Sequence, residues 1–488
     1  MTRNVSLTRQ LNTFDTISLV IGSAIGADIF VVPALGAKLL GPASLLIWLT
    51  SGLIAIVIAL CFAYCATYLP KVGGSYAYTK EVAGRFPGFM VGWALLLAEW
   101  FSLAVFPVAF TQYFLALDPS LNAPSQVLLK AAFIAVIVLT NIYGVRTAGK
   151  FNDLLTIVKL GPLFLLIFFG MIFMGLHPTL ALANFHPFLN GSITNVGQAF
   201  VLIFWAYAGF ELSSLPANEI QNPRKTLPKA LLVGMLIVSA FYIVTNFVVI
   251  GVVDHATLSS SPAPLAVAAS NVFEFSPTLA IAGGVILTIG ALVSILGADE
   301  SGSIGTSSLA YAMSLDGMLP KPFSRLHKSY HTPYVCILGL CTTAFFASLA
   351  NGLSALINSS VFLLSFAYLA TSISAFIMER KHAKGKLSWP SVTIPILGAV
   401  FSLFLMTQVN TQQILTSAVL FAIGIPVYTF FSPKKEQEEL KALFLSRDMT
   451  LERAYHLGEI FLANVYRHLK LQVYRKKNIQ PPWTVEDK

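Results

Sequence analysis

The chain has 488 residues, of which 56% are hydrophobic and only 11% charged, with a formal net charge of +9. Ordinary soluble domains carry roughly 25% charged residues, and a water-soluble fold of this size lacks the polar cover for so much apolar surface. The composition excludes a soluble globular protein and marks an integral membrane protein.

Apolar stretches of about 18–25 residues match the thickness of a bilayer core. Twelve spans are expected, near 14–36, 42–69, 88–117, 125–143, 152–175, 195–216, 227–252, 278–312, 333–351, 356–379, 391–408 and 412–431. The first runs from about Phe14 to Leu40, too long for the apolar region of a signal peptide, and no small-residue cleavage pattern follows it. Segment 71–86 reads as a polar, glycine-bearing connection, and 262–275 as an apolar stretch too short to cross. Cys61, Cys65, Cys336 and Cys341 all fall in apolar segments, where they read as small packing residues.

Lys and Arg concentrate in alternate loops, including 71–85, 146–150, 224–229, 321–328 and 380–386, while the opposite loops hold only Lys38 and Lys130. By the positive-inside rule both termini are expected in the cytoplasm. The bias accounts for the net charge through topology, so no nucleic-acid partner is implied. Beyond Lys434, leucines at helical spacing among mixed charges suggest amphipathic cytoplasmic helices.

Two spans carry interruptions. Span one contains IGSAIGADIF with Gly22, Gly26 and then Pro33; span six contains FWAYAGFELSSLP with Gly209 and then Pro216. Backbone released from a helix at bilayer depth must be buried in protein or line a water-filled cavity. Paired interruptions five spans apart are the pattern of carriers built from inverted repeats, with the substrate seated at the breaks.

Several motifs resemble the amino acid–polyamine–organocation superfamily. They are IGADIF with Pro33, PKVGGSYAYTKEVAGRFPGFMVGW at 70–93, FWAYAGFE with NEIQNPRKTLPKA at 204–230, and LAYAMSLDGMLPKPFSRLHKSYHTP at 309–333. The resemblance covers roughly residues 10–430. It implies an all-α polytopic membrane protein with about 12 transmembrane helices in a leucine-transporter-type fold. The chain then divides into a cytoplasmic N-terminus at 1–13, a first inverted five-helix repeat at 14–175, a second at 195–379, two extra helices at 391–431, and a cytoplasmic tail at 432–488. Broken helices 1 and 6 would meet helices 3 and 8 around the substrate. FPVAF at 106–110, Glu211 and Glu300 are similar to features of the polyamine-uptake branch.

Ionisable residues inside spans are costly and point to function. Asp28, Glu99, Glu211, Asp299 and Glu300 all fall at depth. The family usually has a small Gly- or Ser-rich run where this chain has Gly26–Ala27–Asp28; Asp28 would oppose a substrate carboxylate held by the neighbouring amides. A cationic substrate would neutralise the acids; otherwise some carboxyls keep their protons, since close like charges favour the neutral form. The expected substrate contacts are Ile25, Gly26, Ala27, Asp28, Glu99, Trp205, Tyr207, Ala208, Gly209, Glu211, Glu300 and Gly302. Coupling is expected at Lys159 or Glu211. Some superfamily members that dispense with sodium have a lysine at the place of Lys159, although its side chain could instead reach the cytoplasmic interface.

The expected function is a secondary active permease for amino acids or polyamines, proton-coupled or exchanging, working by alternating access and favouring cations. A neutral amino acid permease is the alternative; a channel or a transporter-like nutrient receptor is the alternative of another class. No HExxH, P-loop, GxSxG or CxxC pattern occurs, so neither an enzyme nor a metal or other cofactor is expected. The partners are a small-molecule substrate, the proton and the lipid bilayer.

Overall fold

The computed structural model describes residues 12–70, 73–143, 149–214, 220–382 and 388–431; for 149–159 and 213–214 the backbone alone is described. The chain divides into two compact units, Met1–Ile425 and Pro426–Lys488. Of the second only 426–431 is described, and the expectations for 1–11 and for the tail at 432–488 lie outside the described residues.

The first span is α1 (Thr13–Ala24) followed by α2 (Asp28–Leu40), with 25–27 non-helical between them. There follow α3 (Ser44–Tyr68), α4 (Ser75–Ala83), α5 (Arg85–Leu117), α6 (Ala123–Tyr143), α7 (Gly149–Leu176) and α8 (Pro178–Asn184). The sixth span is α9 (Val196–Trp205), which passes through a turn into a single 3-10 stretch, Phe210–Ser214. The remainder is α10 (Pro223–Val252), α11 (His255–Ser260), α12 (Pro264–Val272), α13 (Pro277–Leu315), α14 (Tyr334–Ala350), α15 (Leu353–His382), α16 (Trp389–Gln408) and α17 (Thr411–Phe431). The chain is thus all-helical among the described residues.

Local sequence explains several boundaries. Asn12 caps α1 in a reciprocal box with Asp15, accepting from the Phe14 and Asp15 amides at 2.7 and 3.1 Å while the Asn12 amide donates to Asp15 at 2.9 Å. Proline opens α8, α10, α12 and α13, where its missing N–H has no helical partner to lose. The 71–86 connection is more ordered than its polar composition suggests. Gly73 and Gly74 adopt positive φ and launch α4, which ends at Gly84, also at positive φ.

Nine apolar helical stretches among the described residues are long enough to cross a bilayer, or ten if the pair Leu160–Leu176 and Pro178–Asn184, bent by 109°, is one span. Thr13–Ala24 and Tyr334–Ala350 are shorter apolar helices. Three expected spans account for the difference from twelve: the first, where α1 is short and α2 is counted with α3 as Asp28–Tyr68; the fifth, which is the bent pair; and the ninth, Tyr334–Ala350. At ~1.5 Å per residue the 39 residues of α13 extend about 58 Å, well beyond the roughly 30 Å hydrocarbon core. Large apolar side chains such as Leu128, Leu139, Phe168, Ile396, Val400 and Leu415 face outward. In water that surface would be costly; against lipid it is the expected exterior.

Helix packing has an internal correspondence. α1 packs on α10, as α9 does on α3; α5 packs on α15, as α13 does on α7. Likewise α5 packs on α14 as α13 does on α6, and α3 on α15 as α10 does on α7. Each contact is matched by another five spans along the chain.

Candidate functional site

The first break begins where α1 ends. The Ile25 N–H still donates to Ile21 O at 2.9 Å, but Ile25 is extended and the helix stops. Asp28 opens α2, where acidic side chains are favoured by the helix dipole and the free amides. Its carboxylate turns back to accept the Gly26 N–H at 2.6 Å, and the other oxygen accepts from the Tyr242 hydroxyl. That hydroxyl also lies 2.8 Å from Ala24 O, so α10 ties both sides of the break.

The second break is built on Gly209, whose φ is +106°. A Cβ at this position would collide with Ser23 O and sit 3.5 Å from Ala24 Cα, so glycine is required both by conformation and by the close approach of α1. The Gly209 N–H donates to Glu211 Oε1 at 3.0 Å, and the Tyr368 hydroxyl donates to Oε2 at 2.9 Å.

Glu99, from the middle of α5, lies beside Glu211 in one cavity wall, within reach of a side-chain hydrogen bond. Two carboxyl groups bond in this way only while one carries a proton. Both oxygens of Glu211 also accept, from Gly209 and Tyr368. The remaining Glu99 oxygen, Oε1, is buried without a hydrogen-bond partner.

A cavity of about 50 Å³ lies between the breaks, α5 and α13. Its walls include Gly26, Asp28, Glu99, Trp205, Ala208, Gly209, Glu211 and Gly302 from the expected set. Ser23, Ala24, Ser102, Leu103, Phe106, Leu212, Ala298 and Ser301 also line it and were not among the expected contacts. The Trp205 indole donates to Ser102 Oγ at 3.1 Å, and Phe106 tilts against Trp205 with ring centroids 6.3 Å apart. Ser102 and Phe106 follow Glu99 at helical spacing on α5, a signal that could have picked out both; Phe106 also opens the FPVAF motif. The volume holds a few water molecules but is too small for an amino acid or a diamine. A molecule of that size could enter only if the helices part.

The other expected residues lie elsewhere. Ile25 and Ala27 are buried in the break but do not line the cavity. Tyr207 turns away, donating to Trp48 O at 2.7 Å. Glu300 is half-buried on α13 and not part of the lining. Its neighbour Asp299 is 1% exposed, and neither carboxylate oxygen has a hydrogen-bond partner. Lys159 falls on α7, but its side chain lies outside the described residues. The four cysteines are buried free thiols. Among the described residues no group of three or more His, Cys, Asp or Glu could hold a metal.

A family model described as amino acid permease matches residues 11–431, most of the chain. The chain belongs to the amino acid permease family. It is an integral membrane transport protein and not an enzyme. The permease is 27% identical over 452 residues to the branched-chain amino acid permease BcaP of Bacillus subtilis (strain 168), covering 88% of this chain and 94% of the relative. It is 29% identical over 451 residues to the serine/threonine exchanger SteT of the same organism, covering 89% and 99%. The methylthioribose transporter of that organism is 27% identical over 455 residues, covering 88% and 95%.

Away from the cavity, the permease ties α4 to the end of α13. Asp316 accepts from Lys80 Nζ at 2.5 Å and from the Tyr76 hydroxyl, and Arg85 donates to the Asp316 carbonyl at 3.2 Å. Partial burial pushes the Asp316 carboxyl up, but the Lys80 and Tyr76 hydrogen bonds outweigh it and hold it below its ordinary value. A depressed folded value contributes stability above the unfolded value of about 3.9 and loses it as pH falls through the folded one. Protection of the α4 amides in hydrogen exchange, corrected for intrinsic rate, should therefore stay level between about pH 5 and 8. Asp316→Asn should lower that protection throughout the range; a wild-type loss between pH 7 and 5 would contradict the assignment.

Proposed function

We propose that the permease is a secondary active carrier that binds a small organic cation between its two breaks and moves it by alternating access. The observation that carries this reading is the composition of the cavity wall. Asp28, Glu99 and Glu211 converge there, and no basic side chain occurs among the described lining residues. Trp205 and Phe106 supply π-faces on which a cation can rest. Amino acids and polyamines with a positive side group fit this wall.

The matched packing of α1 to α7 and α9 to α15 supports two inverted five-helix repeats, and with α16 and α17 a twelve-span arrangement. The alternating distribution of Lys and Arg supports cytoplasmic termini. A carrier of this kind works by rocking one part against another around a fixed central site.

Coupling is assigned to protons or to exchange. Glu211, beside Glu99 in the cavity wall, is one candidate for exchanging a proton against an incoming ammonium, and Lys159 is the second. Lys159→Ala is expected to abolish uptake driven by a pH gradient while leaving equilibrium binding of substrate intact. An unchanged dependence of initial uptake rate on the gradient would exclude Lys159.

The named substrates of two relatives favour a second reading, a neutral amino acid permease in which the acids are structural or relay protons. Uptake of labelled putrescine, arginine and leucine into proteoliposomes, with and without a pH gradient, separates the two. The cation reading expects saturable putrescine or arginine uptake. Saturable leucine uptake unaffected by excess putrescine and arginine would overturn it.

A further inference from the structure

The two breaks close on themselves by the same device. In each, an acid two residues after a glycine takes that glycine's amide, Asp28 at Gly26 and Glu211 at Gly209, and a distant tyrosine holds the second oxygen. Amides released at a helix break, with the positive end of the half-helix dipole behind them, are where a substrate's anionic group is ordinarily seated. Here both glycine amides are already occupied by the chain's own carboxylates. A substrate carboxylate would have to displace them and lie against like charge in a poorly hydrated cavity.

The rest of the wall is equally short of donors. The Ser23 hydroxyl donates to Val20 O at 3.0 Å, the Ser301 hydroxyl to Gly297 O at 3.0 Å, and the Trp205 indole to Ser102. What the wall does offer is an acceptor. Glu99 Oε1 has no partner although its residue is only 5% exposed. Of the buried side-chain atoms without a partner among the described residues, this acceptor is the one on the cavity wall, where a ligand can meet it. An ammonium group brings three donors and no acceptor; an α-amino acid adds a carboxylate for which no donor on this wall is spare.

We infer that the substrate is an amine without a carboxylate, a monoamine or diamine, and that α-amino acids are discriminated against by Asp28. The inference rests on the reading of this cavity as a cation site and narrows it. One ammonium pairs with Glu99 and Glu211, and in a diamine the second faces Asp28.

The test uses pairs that differ only by the carboxylate: putrescine against ornithine, and cadaverine against lysine. The full chain is reconstituted in proteoliposomes, and each compound competes with labelled putrescine. Each diamine is expected to compete at least tenfold better than its carboxylated partner. Asp28→Ala, which frees the Gly26 amide, is expected to shrink that gap to within about threefold. Ornithine and lysine competing as well as the diamines in the wild type would overturn the inference while leaving the cation reading in place. If no cation is taken up and leucine is, the cation reading fails and this inference with it. Should Asp28→Ala not fold, the wild-type pairs still decide; a folded Asp28→Ala with an unchanged gap would remove Asp28 as the discriminating group.

Discussion

Glu99→Gln is expected to reduce uptake of a cationic substrate by a factor of roughly thirty to several thousand. Removing one partner of a buried, hydrogen-bonded charge pair costs about 2–5 kcal/mol, and each ~1.4 kcal/mol is a factor of ten. The fold should survive, because glutamine matches Glu99 in shape and its amide can donate to the neighbouring Glu211. The same substitution removes a titratable carboxyl from the cavity wall, so whatever pH dependence substrate binding shows should flatten. Initial rates of putrescine uptake against pH, with equal amounts of reconstituted protein, measure both effects. A change of less than threefold would mean that Glu99 does not face the substrate. Ser102→Ala is the contrasting case on the same wall. Its hydroxyl is held by Trp205 and Ser360, so its loss should disturb the tryptophan's setting and cost far less.

Gly209→Ala is the second large effect, and it acts on assembly of the site. A non-glycine residue held at φ +106° costs on the order of 1–3 kcal/mol. The added methyl also meets Ser23 O and Ala24 on α1, and overpacking against backbone costs about 1–3 kcal/mol more. Because Gly209 is where α1 and the second break touch, the two breaks should be forced apart and Glu211 drawn from Glu99. Lower yield of folded protein, a lower thermal midpoint in detergent and loss of uptake are expected together. Gly22→Ala is the matched control, since a Cβ there meets nothing within 4 Å. Equal effects of the two substitutions would show that glycine content, not the contact at Gly209, governs stability.

Much of the architecture was legible because the bilayer imposes a coarse rule on sequence. Apolar length marks spans, and glycine with proline inside a span marks a break, so Gly26 with Pro33 and Gly209 with Pro216 were enough to locate both interruptions. Glu99 and Glu211 stood out because charge at depth is costly. The partners of those acids were not legible. Tyr242 reaches Asp28 across 214 residues and Tyr368 reaches Glu211 across 157, and no local pattern announces such pairings.

Asp28 shows how far a local reading goes. From sequence it stood beside the break amides as an obstacle to a substrate carboxylate; in the structure it occupies the Gly26 amide itself. An acid in the first turn of a half-helix is favoured by the helix dipole, and that much was available from residue order. Tyr207 shows the opposite limit. Near a break the chain has no helical periodicity, so adjacency to Gly209 does not say which way a side chain turns, and Tyr207 turns to Trp48. The connection at 71–86 hid α4 because its polar composition is carried by a short helix between glycines that set its ends.

Binding of putrescine and leucine to the purified permease and to Glu99→Gln, measured by calorimetry in detergent, tests most directly whether the wall of Asp28, Glu99 and Glu211 is a cation site. The proposed function predicts saturable putrescine binding that weakens at least thirtyfold in Glu99→Gln, with leucine binding weaker than putrescine in the wild type. Leucine binding that is tighter than putrescine and unchanged in Glu99→Gln would contradict it.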